Sequence, residues 1–142
     1  MLTYQQWDFI ADVYTPALAL FSLALLWQAS RKTNFKSTFN SVLGLMLSVG
    51  FIYLMMFLDN ALALWPALGL DYSTHTALAL VFVLFIAGQN LGLWVISALS
   101  MVLYAGLMIH QAYHTLLDIL TTSIVVIPVI WWIQKQRFIR LN

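Results

Sequence analysis

Apolar stretches separated by short polar segments run through most of this 142-residue chain. A helix needs roughly 20 apolar residues to cross the hydrocarbon of a bilayer. Five stretches have about that length, and the third, which is short, has a natural N-cap in Ser73 or Thr74. The predicted spans cover about residues 13–29, 41–58, 74–87, 91–109 and 115–133.

Helix-breaking residues mark the limits of these spans. Gly88-Gln89-Asn90 predicts a tight turn between the third and fourth spans. Pro16 falls in the first turn of the first predicted span, where proline is tolerated, and Pro128 is expected to kink the fifth. Residues 61–70 are too short and too broken to cross, so we expect them to lie in the interface or to re-enter.

Composition agrees with a membrane protein. The chain is 63% hydrophobic and only 8% charged, whereas a soluble domain carries roughly 25% charged residues. Soluble and disordered classes are therefore excluded, and a net charge of +1 with six Lys and Arg residues argues against a nucleic-acid partner. The absence of cysteine excludes disulfides, a thiolate nucleophile and cysteine-ligated metal centres. We predict one all-α integral membrane domain over residues 1–142, a bundle of about five transmembrane helices.

Charge placement predicts an orientation. All six basic residues lie either between the first two spans or after the fifth, and with alternating spans both segments share one face, which the positive-inside rule makes cytoplasmic. The acidic residues and histidines fall toward the other face. We therefore expect the N-terminus outside and the C-terminus in the cytoplasm. The membrane in which the protein lies is expected to be a bacterial inner membrane. No signal peptide is recognisable, so the first span is expected to stay in the mature protein. The basic residues are Arg31, Lys32, Lys36, Lys135, Arg137 and Arg140.

Three polar residues open the fifth span at a spacing of four. On a continuous helix His110, His114 and Asp118 would share one face, although the sequence leaves open whether His110 lies in the helix or in the loop before it. A carboxylate inside a span costs about 2.5–3.5 kcal/mol unless it finds a partner. The nearest partner of Asp118 in sequence is the imidazole of His114, whose other ring nitrogen would then be free as a base or nucleophile.

His75 opens the third span on the same membrane face as His114. The start of that helix offers free backbone N–H groups and the positive end of its dipole, which together favour an anion. Two histidines around an anion site suit phosphoryl transfer, in which one attacks phosphorus and the other protonates the leaving oxygen.

These residues also resemble a known family. Ser73-Thr74-His75-Thr76 followed by His114-x3-Asp118 resembles the second and third motifs of the type 2 phosphatidic acid phosphatase superfamily, and residues 113–118 are similar to the His-Tyr-Thr-x-Asp region of its sphingomyelin synthase branch. The resemblance covers about residues 69–133. It implies a lipid phosphatase or headgroup phosphotransferase without metal or other cofactor, acting on a membrane lipid that enters sideways from the outer leaflet.

The resemblance also implies roles for single residues. His114 would be the nucleophile that forms a phosphohistidine, Asp118 would orient it, and His75 would be the general acid. The expected substrate contacts are Asp71, Ser73, Thr74, Thr76 and Tyr113.

The basic residues that clamp phosphate in this family are missing. Residues 59–74 contain no Lys or Arg, Trp65-Pro66 stands where Arg-Pro is expected, and Met108 stands where the third motif has Arg. A zwitterionic headgroup would explain this, since carboxylates and aromatic rings can hold its cation. Alternatively, a partner subunit or a second copy supplies the cations, or the protein binds without catalysis. The residues suited to a headgroup cation are Asp59, Trp65, Asp71, Tyr72 and Tyr113.

Two other classes fit the same residues. His110 and His114, with His75 and Asp118 nearby, would suit a metal ion or haem. A small non-enzymatic subunit of a membrane assembly is the other alternative. Trp65 is also typical of the interfacial aromatic belt, and a channel is disfavoured because Asp118 is the one Asp, Glu, Lys or Arg residue inside the predicted spans.

Overall fold

The protein folds as a bundle of five α-helices with a short 3₁₀ turn before the third. The structure, a computed structural model, describes residues 3–136, with the side chain of Tyr4 excepted. Over these residues it contains no strand, which confirms the all-α prediction. The helices are α1 Tyr4–Ser30, α2 Phe35–Leu62, α3 Thr74–Ala87, α4 Leu91–His110 and α5 Leu116–Lys135, and the 3₁₀ turn is Pro66–Leu68.

The first two helices begin earlier than predicted because polar residues cap them. Thr3 and Gln6 form a capping box, in which each side chain bonds to the other's backbone N–H, so α1 starts at Tyr4 and Pro16 lies well inside it. The prediction that Pro16 occupies a first turn is therefore wrong. In α2 the side chain of Asn34 accepts the N–H of Ser37 and starts the helix at Phe35.

Four helices, α1, α2, α4 and α5, are long and apolar enough to cross a membrane. The chain is thus an all-helical membrane protein. At 1.5 Å per residue, the 14 residues of α3 extend only about 21 Å, less than the roughly 30 Å of a bilayer's hydrocarbon. As predicted, Ser73 is its N-cap and residues 88–90 form the turn into α4.

The short helix α3 lies in the middle of the bundle and packs against each of the other four helices. From Ala77 onward its residues are apolar on every side, which is the pattern of a helix enclosed by protein. Ala77, Ala79 and Val81 are fully buried. Because α3 is central, its first residues are held in the middle of one end of the bundle.

Opposite charges occupy opposite ends of the described bundle. One end, called the acidic end here, holds the starts of α1, α3 and α5 and the ends of α2 and α4, as contacts such as that between Trp7 and His110 show. Its ionisable side chains are Asp8, Asp12, Asp59, Asp71, His75, His110, His114 and Asp118. The other end, the basic end, holds Arg31, Lys32, Lys36 and Lys135, while Arg137 and Arg140 lie outside the described residues.

Candidate functional site

The segment between α2 and α3 is hydrogen-bonded to α2 and to α5. Buried Asp59, near the end of α2, accepts the backbone N–H of Trp65 at 2.7 Å. The indole Nε1–H of Trp65 donates to Thr121 of α5 at 3.1 Å. Trp65 is only 6% exposed, so its ring is enclosed by protein where the segment folds back over the start of α5.

Asp118 fastens the same segment and does not bond to His114. Its Oδ1 accepts the backbone N–H of Asp71 at 2.8 Å. Its Oδ2 accepts the backbone N–H of Thr115 at 2.7 Å and the Thr115 hydroxyl at 2.8 Å. Thr115 and Asp118 form a capping box, so His114 precedes the N-cap and is not on the helix at all. The predicted pairing of Asp118 with His114 therefore fails for a local reason: α5 and its cap begin only after His114, and Thr115 bonds to Asp118 instead.

The carboxylate beside His114 belongs to Asp71. Its Oδ2 lies 3.3 Å from Nδ1 of His114, whose side chain is 9% exposed, whereas that of Asp71 is 67% exposed. Burial lowers the pKa of His114, and nearby His75 lowers it further, against the opposing influence of Asp71 and Asp118. The imidazole is therefore neutral at neutral pH, which is the state that a nucleophile requires.

The other two histidines occupy different surroundings. His75, exposed in the first turn of α3, has its ring 6.5 Å from that of Tyr113 and nearly parallel to it. His110 is the last residue of α4, and its ring meets that of Trp7 edge to face at 6.0 Å. Because a loop separates α4 from α5, the helical face expected for His110, His114 and Asp118 does not form.

The start of α3 is occupied by its own side chains. Ser73 and Thr76 are fully buried and bond to each other through their hydroxyls at 2.7 Å. The Ser73 hydroxyl also accepts the N–H of Thr76, and the Ser73 N–H donates to Thr122 of α5 at 3.1 Å. These two residues hold the helix start in place and do not face a substrate, contrary to the prediction, whereas Thr74 is partly exposed.

A cleft of about 410 Å³ lies over His114. Asp71, Asp118, Tyr113 and Thr115 line it with His114, and His75 is outside its lining. A larger groove of about 740 Å³ runs between α1 and α4 past His110, but its walls are apolar and include neither carboxylate. The cleft over His114 is therefore the candidate site, and the charged residues in its lining, Asp71 and Asp118, are negative.

Two features of this site were not found in the sequence. The hydrogen bonds that Thr121 and Thr122 accept from the segment before α3 were missed, although their spacing of three and four from Asp118 places all three on one helix face.

The described residues contain no group of three or more His, Cys, Asp or Glu side chains placed to hold a metal ion. The metal and haem alternative needed His110 and His114 on one helix face, and the loop between α4 and α5 separates them.

No family model, curated protein or solved structure matches the chain. The resemblance to the phosphatase superfamily therefore depends on the two short motifs alone.

Proposed function

We propose that this membrane protein acts on the phosphoester of a lipid headgroup, with His114 as nucleophile and His75 as general acid. One observation carries the proposal: Nδ1 of the largely buried His114 imidazole lies 3.3 Å from the Asp71 carboxylate, in a cleft that both residues line. The same arrangement of a histidine with a carboxylate activates nucleophiles in many enzymes. Its place at a helix end suits a headgroup whose acyl chains stay in the bilayer.

The chemistry follows from the protonation of the two rings. With a proton on Nδ1, next to Asp71, the Nε2 lone pair of His114 is free to attack phosphorus. As the N–P bond forms, the P–O bond to the leaving alcohol breaks, and protonated His75 gives its proton to that oxygen. Water then attacks the phosphohistidine to release phosphate, or the hydroxyl of a second lipid attacks it and the headgroup is transferred.

The positive-inside rule gives the site a side of the membrane. All described Lys and Arg residues lie at the basic end, which would face the cytoplasm, so the cleft would open toward the periplasm of a bacterial inner membrane. The substrate would be a lipid of the outer leaflet.

The test compares two histidines of the acidic end. We expect purified protein in lipid nanodiscs to turn over phosphatidic acid or a choline phospholipid, and His114→Ala to abolish turnover and the ³²P label trapped on histidine. His110→Ala is the matched control and should keep wild-type turnover, because His110 lies outside the cleft against Trp7 and, unlike His75, is not among the groups that influence His114. His75→Ala should slow both the formation of the label and turnover by about 10²–10⁴-fold, the usual contribution of a general acid. Full activity of His114→Ala would refute the mechanism.

A second candidate is a protein that binds cationic headgroups without catalysis. It is favoured by the charges of the cleft, since two carboxylates line it and no described Lys or Arg lies at the acidic end. A phosphate would meet repulsion there, whereas a choline or ethanolamine group would be attracted. Headgroup binding by wild-type protein with no turnover of either lipid would favour this second candidate.

A further inference from the structure

We infer that Asp71 is the residue that positions the His114 imidazole, and that Asp118 contributes to the position of this ring only indirectly, by holding the backbone of Asp71. The inference rests on the proposed function for what the imidazole does. The arrangement itself can be tested without any activity.

The contacts of the two carboxylates differ in kind. Both oxygens of Asp118 accept hydrogen bonds from neighbours other than His114: the backbone of Asp71, and the backbone and hydroxyl of Thr115. The carboxylate of Asp71, by contrast, approaches Nδ1 of His114, an atom that is buried and has no directed hydrogen bond from any other group. A small rotation of the exposed Asp71 side chain would complete that bond and fix the proton on Nδ1.

The backbone of Asp71 is held firmly enough to carry this side chain. Its N–H bonds to Asp118, and two residues later the N–H of Ser73 bonds to Thr122. Asp118 and Thr122 are one turn apart on α5, so they accept hydrogen bonds from successive parts of the segment before α3. Asp118 therefore influences the imidazole through the position of Asp71.

Three ionisable groups influence His114 in the folded protein. Asp71 and Asp118 favour its protonated form, and His75 opposes it. Removing the charge of Asp71 should consequently lower the pKa of His114. Removing that of Asp118 should lower it less, because Asp71 has the larger effect of the two.

The experiment follows the ring of His114 by NMR of ¹⁵N-histidine-labelled full-length protein in detergent micelles, with signals assigned from His114→Ala. In wild type we expect one tautomer, with the proton on Nδ1. Asp71→Asn should mix the tautomers and lower the pKa while leaving the melting temperature nearly unchanged, because the backbone bond to Asp118 is retained. Asp71→Glu should restore the single tautomer.

Two variants on α5 complete the test. Asp118→Asn should clearly reduce the melting temperature while changing the tautomer populations of His114 only slightly. Thr122→Val removes the acceptor of the Ser73 N–H and should also lower the melting temperature, without removing a charge. The inference is wrong if Asp118→Asn mixes the tautomers while Asp71→Asn leaves them unchanged. Absence of turnover in wild type would refute the proposed function but leave the tautomer result, and thus this inference, standing.

Discussion

The two ends of the bundle use charge in different ways. At the basic end the charged side chains are exposed, and two of them lie over tryptophans: the Arg31 guanidinium is 3.9 Å from the ring centre of Trp27, and the Lys135 ammonium is 4.5 Å from that of Trp131. Such pairs are typical of a membrane interface, where aromatic rings and basic side chains anchor a helix end.

At the acidic end, three ionisable groups are enclosed, and two of them are bonded across elements. Asp59, His114 and Asp118 are largely enclosed, and the two aspartates are bonded to the segment between α2 and α3. Burying a polar group is costly unless it is bonded. The turn Gly88-Gln89-Asn90 also buries a polar side chain, but Gln89 is uncharged and donates to the carbonyl of Phe85, four residues before it. At the acidic end buried carboxylates bond to a separate segment, which indicates a site rather than a simple connection.

The largest expected difference between the ends is in stability. Asp118→Ala leaves the N–H groups of Asp71 and Thr115 without their acceptor, and each such loss costs about 1–3 kcal/mol. We expect a fall of about 3–5 kcal/mol in the free energy of unfolding, measured in mixed micelles. Lys32→Ala, at the basic end, should leave it unchanged. Equal losses in the two variants would remove the distinction between the ends.

The next effect is a pH dependence confined to the acidic end. Because the folded pKa of His114 lies below the unfolded value of about 6.5, the unfolded state binds more protons between these two pKa values. The free energy of unfolding should therefore rise with pH through that window and level off above it. His114→Ala should flatten this rise. His110→Ala should keep it, and a rise that persists in His114→Ala would assign the effect to another group.

The same pKa sets the pH dependence of the proposed reaction. His114 must lose its proton to attack phosphorus, so turnover should increase as pH rises through its folded pKa, at a more acidic pH than an ordinary histidine would give. In Asp71→Asn the increase should move to still lower pH. An unmoved profile in that variant would show that the titrating group is not next to Asp71.

The fold was more predictable from the sequence than the site was. The third helix, its Ser73 cap and the turn at residues 88–90 follow from local patterns, and the structure has them. The start of α1 was missed because Thr3 and Gln6 are polar and lie outside any apolar stretch. Local capping residues decide these features, so each of them is encoded in a short stretch of sequence.

The pairing within the site could not be derived in this way. Sequence spacing assigned His114 to Asp118, but the N-cap at Thr115 separates them, and the approaching carboxylate comes from Asp71, far away in the chain. Which carboxylate reaches the imidazole depends on how the segment before α3 folds over α5. That is a tertiary contact, which no local pattern encodes.

The smallest expected effect concerns a single hydrogen bond in that tertiary contact. Trp65→Phe keeps the ring in place but removes the indole N–H that donates to Thr121, a loss of about 1 kcal/mol in the free energy of unfolding. Trp131→Phe is the matched control at the basic end, where the ring is exposed, and it should change stability less. Because Trp65 helps to seat the segment that carries Asp71, its variant should also broaden the His114 NMR signal. A sharp, wild-type signal in Trp65→Phe would mean that Asp118 and Thr122 alone are sufficient to hold that segment over α5.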